Sequence, residues 1–321
     1  MNRFPFFVVL AAVLLPLPAP AQDKYPSRAV TVIVPQAPGG ANDTVARILM
    51  QKMSENTGTQ FVIENRTGAG GNIGTAAAAR AAKDGYTILL TVNSSHVINP
   101  PIYKNPGFDP VKDFDPVTPV ATVAYLLVAN PSFAPNNVRE LIDLAKAKPG
   151  TLSYASAGNG TMNHLLGEML KAQAGIDLLH IPYKAAAAAA TDVVAGRIPV
   201  SVQSMPSVVG FIGSGKLKIL GVMNEKRVKA LPDVPAISET LPGFGATPWY
   251  GILVPAGTPK AVVSRLHAET VKALGAKDVQ EKMAANGAEP TSSTPEEFLT
   301  QIKAELPKWA KIVRDSGAQV D

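Results

Sequence analysis

"VTVIVPQAPGGANDTVARILMQKM" runs from Val30 to Met53 and carries the decision about the fold. Val30–Val34 is a β-branched apolar run, the signature of a strand buried on both faces. Pro38-Gly39-Gly40 ends it, and a helical pattern follows at once over Asp43–Asn56, with Val45, Ile48, Leu49 and Met53 on one face. Gly58 stands where a helix C-cap glycine would. The glycines thus lie between a strand and the N-terminus of a helix. The first-turn N–H groups there have no partner inside the helix and the helix dipole is positive, so the site favours an anion.

The same rhythm continues on both sides. "FVIENR" is a second strand, "TGAGGNIGTAAAARAA" a Gly-rich loop entering an Ala-rich helix, and "YTILLTVN" a third strand. This βαβαβ order predicts a mostly parallel sheet flanked by helices. A long β-rich stretch, Asp113–Pro131, follows without a helix. The helix "NVRELIDLAKAKPG" comes next, and "LSYASAGNGTMNHLLGEMLKAQAG" then repeats the opening design of strand, Gly-rich turn and helix. Two extended segments, near 117–128 and 249–254, are the expected crossings between two α/β lobes. The expected organisation is residues 22–122 plus 250–321 as a discontinuous first domain, with 123–249 inserted as a second. Ligands of such sheets bind outside the carboxyl ends of the strands.

Composition narrows the class. With 46% hydrophobic and 17% charged residues the chain can bury a substantial core. The formal charge of +5 is dispersed, with no Lys/Arg cluster and little aromatic interleaving, which argues against nucleic-acid binding. "MNRFPFFVVLAAVLLPLPAPAQ" has one cation, Arg3, an apolar run from Phe4 to Leu17, and a small-x-small site at Ala19–Ala21. That is the pattern of a cleavable signal peptide over residues 1–21, cut after Ala21. An apolar run this short, interrupted by Pro5 and Pro16, predicts no stable membrane insertion. Without Arg3 the formal charge falls from +5 to +4. There is no cysteine, so a secreted chain is held by its core rather than by disulfides, and a bacterial periplasm is the simplest setting.

The first loop is no nucleotide loop. It lacks the Gly-Lys-Ser/Thr of a P-loop. "GAGGNIG", Gly68–Gly74, has dinucleotide-fingerprint spacing, but Asn93 stands where a ribose-binding acid would be needed. Asn72 there either lines a pocket or serves helix–strand packing. Gly39, Gly40, Ala41 and Asn42 are expected to meet a ligand, and Asp43 either holds a polar group or serves its own helix N-terminus. In "SAGNGTMNH" Thr161 is the expected N-cap, while Ser156, Ala157, Gly158 and Gly160 allow close backbone approach. Ser156 and His164 also have the residue types of a nucleophile and its base, the basis of an alternative reading as a secreted hydrolase. The surroundings are not a G-x-S-x-G elbow, and His164 reads rather as a donor to ligand or backbone. Tyr183 can donate into a cleft, and Trp249 and Tyr250 either wall a pocket or pack a hinge. No HExxH or thiolate set is present, and neither a metal nor a cofactor is expected.

Taken together, "YPSRAVTVIVPQAPGGANDTVAR", "VIENRTGAGGNIGTAAAARAAKDGYTILL", "YASAGNGTMNHLLGEMLK", "HIPYK", "LPDVPAISE" and "WYGILVPAGTP" resemble the extracytoplasmic solute receptors of tripartite tricarboxylate transporters. These are the TctC-like or Bug (Bordetella uptake gene) proteins, and the resemblance runs in order through the mature chain. It implies a two-lobed, type II-like periplasmic-binding-protein fold, with two mixed or parallel sheets joined by two crossing β segments. It implies no catalysis, but closure on a small carboxylate (a di- or tricarboxylate, an acidic amino acid or an aromatic carboxylate) and delivery to a membrane permease. A ligand sensor coupled to signalling is the alternative role within that class. Onto this chain the resemblance carries Gly39, Gly40, Asn42, Asp43, Ser94, Ser95, Ser156, Gly158, Gly160, Thr161 and His164. Two positions depart from the family pattern: Ala185 replaces a usual Gly, and "VQS" at 202–204 replaces an "FDN"-like segment, placing neutral Gln203 near the expected cleft.

Overall fold

The structure, a computed structural model, describes residues 25–316; the signal segment and its cleavage site lie outside them. The chain begins with β1 (Val30–Val34), α1 (Ala41–Thr57), β2 (Phe61–Asn65), α2 (Asn72–Ala79) and β3 (Thr87–Val92). Ser94–Ile98 then form a wide i→i+5 turn leading into the short α3 (Asn99–Ile102) and β4 (Phe114–Val123). Next come β5 (Tyr125–Ala129), α4 (Val138–Ala147), β6 (Ser153–Ser156), α5 (Met162–Ala174), β7 (Leu179–Pro182), α6 (Ala186–Val194), β8 (Val200–Ser204), α7 (Met205–Gly213) and β9 (Lys218–Val222). The chain closes with β10 (Trp249–Pro255), α8 (Lys260–Leu274), α9 (Lys277–Ala285), β11 (Ala288–Pro290) and α10 (Pro295–Ser316). None of the helices in the described residues is long and apolar enough to cross a membrane.

Two mixed sheets result. The first has the order β11-β4-β10-β3-β1-β2 and the second β7-β6-β8-β5-β9. In the first, β1 pairs in parallel with β2 and β3, while β10 runs antiparallel between β3 and β4. In the second, β6 is parallel to β7 and β8, and β5 is antiparallel to β8 and β9. The apolar runs read from sequence are buried as parallel strands covered on both faces must be; Val30, Val32 and Val34 are fully enclosed. α1 starts two residues earlier than its periodicity indicates, and Gly58 ends it in the left-handed conformation, its N–H donating to the Ser54 carbonyl.

The expected crossings need one correction. The first passes through Ala124 alone, between β4 in one sheet and β5 in the other. The second is not at 249–254. Those residues are β10, wholly inside the first sheet, and the chain returns through the Pro-rich segment between β9 and β10. Extended conformation therefore marks a strand here, and proline and glycine mark the passage. Asn224 fastens the two crossings together: its amide donates to the Val123 carbonyl and accepts from the Tyr125 N–H, at 2.9 and 2.7 Å. α10 packs on β4 and reaches α5 of the other lobe, so Phe298, Ile302 and Trp309 share a core with Leu165 and Met169.

Candidate functional site

A cavity of about 50 Å³ lies between the sheets, walled by loops at the carboxyl ends of strands in both. Gln36 and Ala37 follow β1, Ser94 follows β3, Ala157 follows β6, Lys184 follows β7, and Ser204 ends β8. At about 10–15 Å³ for each enclosed water, that volume holds roughly four waters. A second, wider space of about 510 Å³ adjoins it as a vestibule, shares Gln36, Ala37, Ala157, Thr161 and Lys184 with it, and opens along Gly68–Gly71 and Tyr103.

Three helices place both an N-cap and a first-turn residue in the inner cavity wall. Gly40, Ala41 and Asn42 begin α1; Thr161, Met162 and Asn163 begin α5; Ala185 and Ala186 begin α6. Each contributes first-turn N–H groups without an intrahelical acceptor, and about 0.3–1 kcal/mol of dipole stabilisation for an anion, up to ~2 where partly buried. Side chains add to this. Both amide atoms of Asn42 and the Ser94 hydroxyl are buried in the wall and have no hydrogen-bond partner in the protein. Lys184 is the one charged side chain among the described residues lining the cavity, and no acidic side chain faces it.

The floor is a pair of tyrosines, one from each sheet. Tyr125 on β5 and Tyr250 on β10 share a hydrogen bond of 3.0 Å between their hydroxyls. Burial pushes the Tyr125 phenol up to about 12, and burial with the neighbouring phenol raises Tyr250 further. Both are neutral donors at physiological pH. One proton is consumed between the two oxygens, which leaves one hydroxyl proton to offer to a ligand.

The sequence-derived candidates divide. Gly40, Ala41, Asn42, Ser94, Ala157 and Thr161 line the inner cavity, and Gly158 and Tyr183 line the vestibule. Gly39 stands just outside the inner wall, its N–H donating to Asp43. Asp43 faces its own loop: its carboxylate receives both Arg47 nitrogens at 2.9 Å, the Gly39 N–H and the Asn65 amide at 3.0 Å. Burial alone would raise its pKa, but these bonds outweigh burial and hold it below the ordinary range. Asp43→Ala is accordingly expected to destabilise the protein by about 2–3 kcal/mol in urea unfolding, the scale of lost hydrogen bonds to a charged group.

Other candidates serve the walls without reaching the cavity. Ser95, with Gln36 and Asn99, donates to the Gly70 carbonyl and pins the Gly-rich loop. Asn72 is buried at the start of α2, outside both linings. Gln203 donates to the Ala186 carbonyl and Ser201 and accepts from Ser207, while its neighbour Ser204 takes the cavity position. Trp249 packs edge-on against Phe298 and donates to Glu305 on α10, and the next residue, Tyr250, faces the cavity. Gly160 approaches Asn99 and Tyr103 of the other lobe.

Ser156 is fully buried and bonds to His180 rather than to His164, at 2.6 Å from Nε2. Its oxygen also accepts from the Gly158 N–H at 3.1 Å, so it is held as part of the loop and has no exposed face for a substrate. That removes the expected Ser156–His164 pair. The histidines do gather where sequence spacing showed no cluster: His164, Glu168 and His180 have ligand-type atoms within 4.8 Å of one another. The imidazoles are stacked 4.3 Å apart with an interplanar angle of 22°, which sends their lone pairs along nearly parallel planes. Glu168 is already bound by Lys171 and the Tyr154 hydroxyl. The group is a hydrogen-bonded brace behind the loop, not a chelating fork.

Comparisons with known proteins agree with this architecture. A family model described as "Tripartite tricarboxylate transporter family receptor" matches residues 45–318. BugT of Bordetella pertussis is 35% identical over 316 residues, covering 98% of this chain and 96% of its own. Among solved structures, Rpa4515 of R. palustris with adipate superposes with a TM-score of 0.88 at 32% identity, covering 91% of this chain and 98% of that one. MatC of Rhodopseudomonas palustris with bound malate gives a TM-score of 0.84 at 30% identity, covering 90% and 100%. With the match spanning nearly the whole fold and both jaws of the cleft, this chain belongs to the tripartite tricarboxylate transporter receptor family, the family of the Bug proteins, and is a solute-binding receptor rather than an enzyme.

Proposed function

We propose that this receptor works in the periplasm, captures a small carboxylate in the inner cavity, and delivers it to the membrane permease of a tripartite tricarboxylate transporter. One observation carries the reading: three helix N-termini converge on a cavity whose wall holds the unpartnered Asn42 amide and Ser94 hydroxyl and no acidic side chain. The charge of a carboxylate would be met by dipoles, neutral donors and Lys184. Its oxygens would accept from both lobes at once, so binding would favour the closed arrangement.

Relatives solved with malate and adipate lend support to a dicarboxylate. The test is a thermal-shift panel of succinate, malate, adipate, citrate, glutamate and benzoate, followed by calorimetric titration of those that stabilise. Stabilisation by at least one dicarboxylate is the expected result. A flat response across the panel overturns the carboxylate reading. Delivery is tested by ligand uptake in cells carrying the cognate permease with and without the receptor.

A further inference from the structure

The second jaw of the cleft, residues 156–161, is held by a short chain of polar bonds. The Gly158 N–H donates to the Ser156 hydroxyl oxygen, and that hydroxyl meets His180 Nε2 at 2.6 Å. The Gly160 N–H donates to His164 Nδ1 at 3.4 Å. Thr161 donates to the Gly158 carbonyl at 2.6 Å and receives the His164 N–H. Each imidazole therefore touches the loop at one nitrogen, and the two rings are stacked on each other, with Tyr154 stacked on the far side of His180 at 4.9 Å.

We propose that His164 and His180 are positioning residues for the ligand: neutral imidazoles hook the Gly158 and Gly160 amides into the conformation that presents the start of α5 to an anion. The inference rests on the receptor reading above. It commits the protons. The Ser156 hydroxyl donates to His180 Nε2, so His180 carries its proton on Nδ1, and His164 accepts at Nδ1, so it carries its proton on Nε2. A proton added to His164 Nδ1 ends the bond from Gly160, because both groups would then be donors. A proton added to His180 Nε2 reverses the donor in its bond to Ser156.

The electrostatics agree with neutral rings. Burial and the neighbouring His164 lower His180 to about 4. Burial also lowers His164, with Glu168 pulling the other way and Lys171 assisting. The charged groups facing the stack are Glu168 and Lys171 on α5, paired to each other, and the Tyr154 phenol on β6 is kept neutral by burial. The sign follows: the Gly160 hook on His164 is intact above that ring's lowered value and is lost as pH falls through it, while protonated His180 becomes the donor to Ser156 and turns its hydroxyl, so ligand affinity falls on acidification.

The test has two independent arms. In the first, imidazole nitrogen and glycine amide resonances of the unliganded full-length mature protein are followed by NMR from pH 8 to pH 4. The expected result is the two stated tautomers, both rings protonating below the range of free imidazole, with the Gly158 and Gly160 amides shifting as His180 and His164 do. Histidines that titrate like free imidazole, or glycine amides that ignore them, overturn the proposal. In the second arm, calorimetry with adipate and malate compares Ser156→Ala, His180→Ala and the double variant. Each single variant is expected to lose about tenfold in affinity, and the double variant no more than about that again. His267→Ala, on the outer α8, is expected to bind as the parent does. Unchanged affinity in the folded single variants overturns the proposal. A variant that does not fold leaves the decision with the first arm. A parent that binds neither probe sinks the dicarboxylate reading, while the NMR arm still decides the hooks.

Discussion

Asn42→Leu is expected to abolish ligand binding, by about 100-fold or more, while leaving the unliganded protein as stable as the parent. Asn42 is 2% exposed, and neither its amide nitrogen nor its amide oxygen has a partner in the protein. In the empty receptor the Asn42 amide meets cavity water rather than a protein group, so an apolar side chain of similar size removes no bond that holds the fold. In the liganded receptor the same change removes hydrogen bonds to a charged group, about 1.5–3 kcal/mol each, and 100-fold is about 2.7 kcal/mol. Thermal denaturation of the empty protein and calorimetric titration of the ligand measure the two effects separately. Lost stability with retained affinity would show that Asn42 is a structural residue.

The second large effect is expected at Gly160. A Cβ there would stand 2.9 Å from Asn99 Oδ1 and from the ring and hydroxyl of Tyr103, all belonging to the other lobe. The φ of +72° also strains any other residue, but that strain is the same in open and closed forms and cancels from the binding equilibrium. The collision does not cancel, because it exists only when the lobes meet. Overpacking of this kind costs about 1–3 kcal/mol, so Gly160→Val should weaken ligand about 5- to 150-fold. Small-angle scattering should then show that ligand no longer contracts the particle at concentrations that close the parent. Gly210→Ala is the control, since a Cβ there has nothing within 4 Å.

The fold was largely legible, for a reason particular to this chain. Local preference and tertiary role coincide at the β-branched run Val30–Val34, at the Gly58 C-cap and at the Thr161 N-cap. The second crossing was misplaced because β10 is extended and apolar, as a crossing would also be. Only its two neighbours, β3 and β4, reveal it as an interior strand.

The site was legible to within one residue and often no better. Asn42 faces the cavity while Asp43 turns back to Arg47; Ser94 faces it while Ser95 holds Gly70; Ser204 and Tyr250 face it while Gln203 and Trp249 pack behind. In a strand, successive side chains point to opposite faces, and at a helix start they diverge by about 100°. A motif fixes the neighbourhood, but the facing residue follows from the register of the strand behind it. The third helix N-terminus, at Ala185 and Ala186, escaped because Ala185 is no usual cap and the alanine run gives no polar signal. The stacking of His164 on His180 was invisible for another reason. It joins residues on α5 and β7 that only the pairing of β6 with β7 brings together.

The inner wall is built from neutral donors and helix ends, with a single lysine at its edge. Screening by dissolved ions weakens exposed charge pairs and leaves enclosed dipoles nearly untouched, with a Debye length of about 8 Å at physiological ionic strength. A receptor that gripped its anion with surface arginines would lose its hold whenever the surroundings turned salty. Here Lys184 is the one charge of the described lining open to screening, so affinity is expected to depend only weakly on ionic strength, as titrations across a salt series would show.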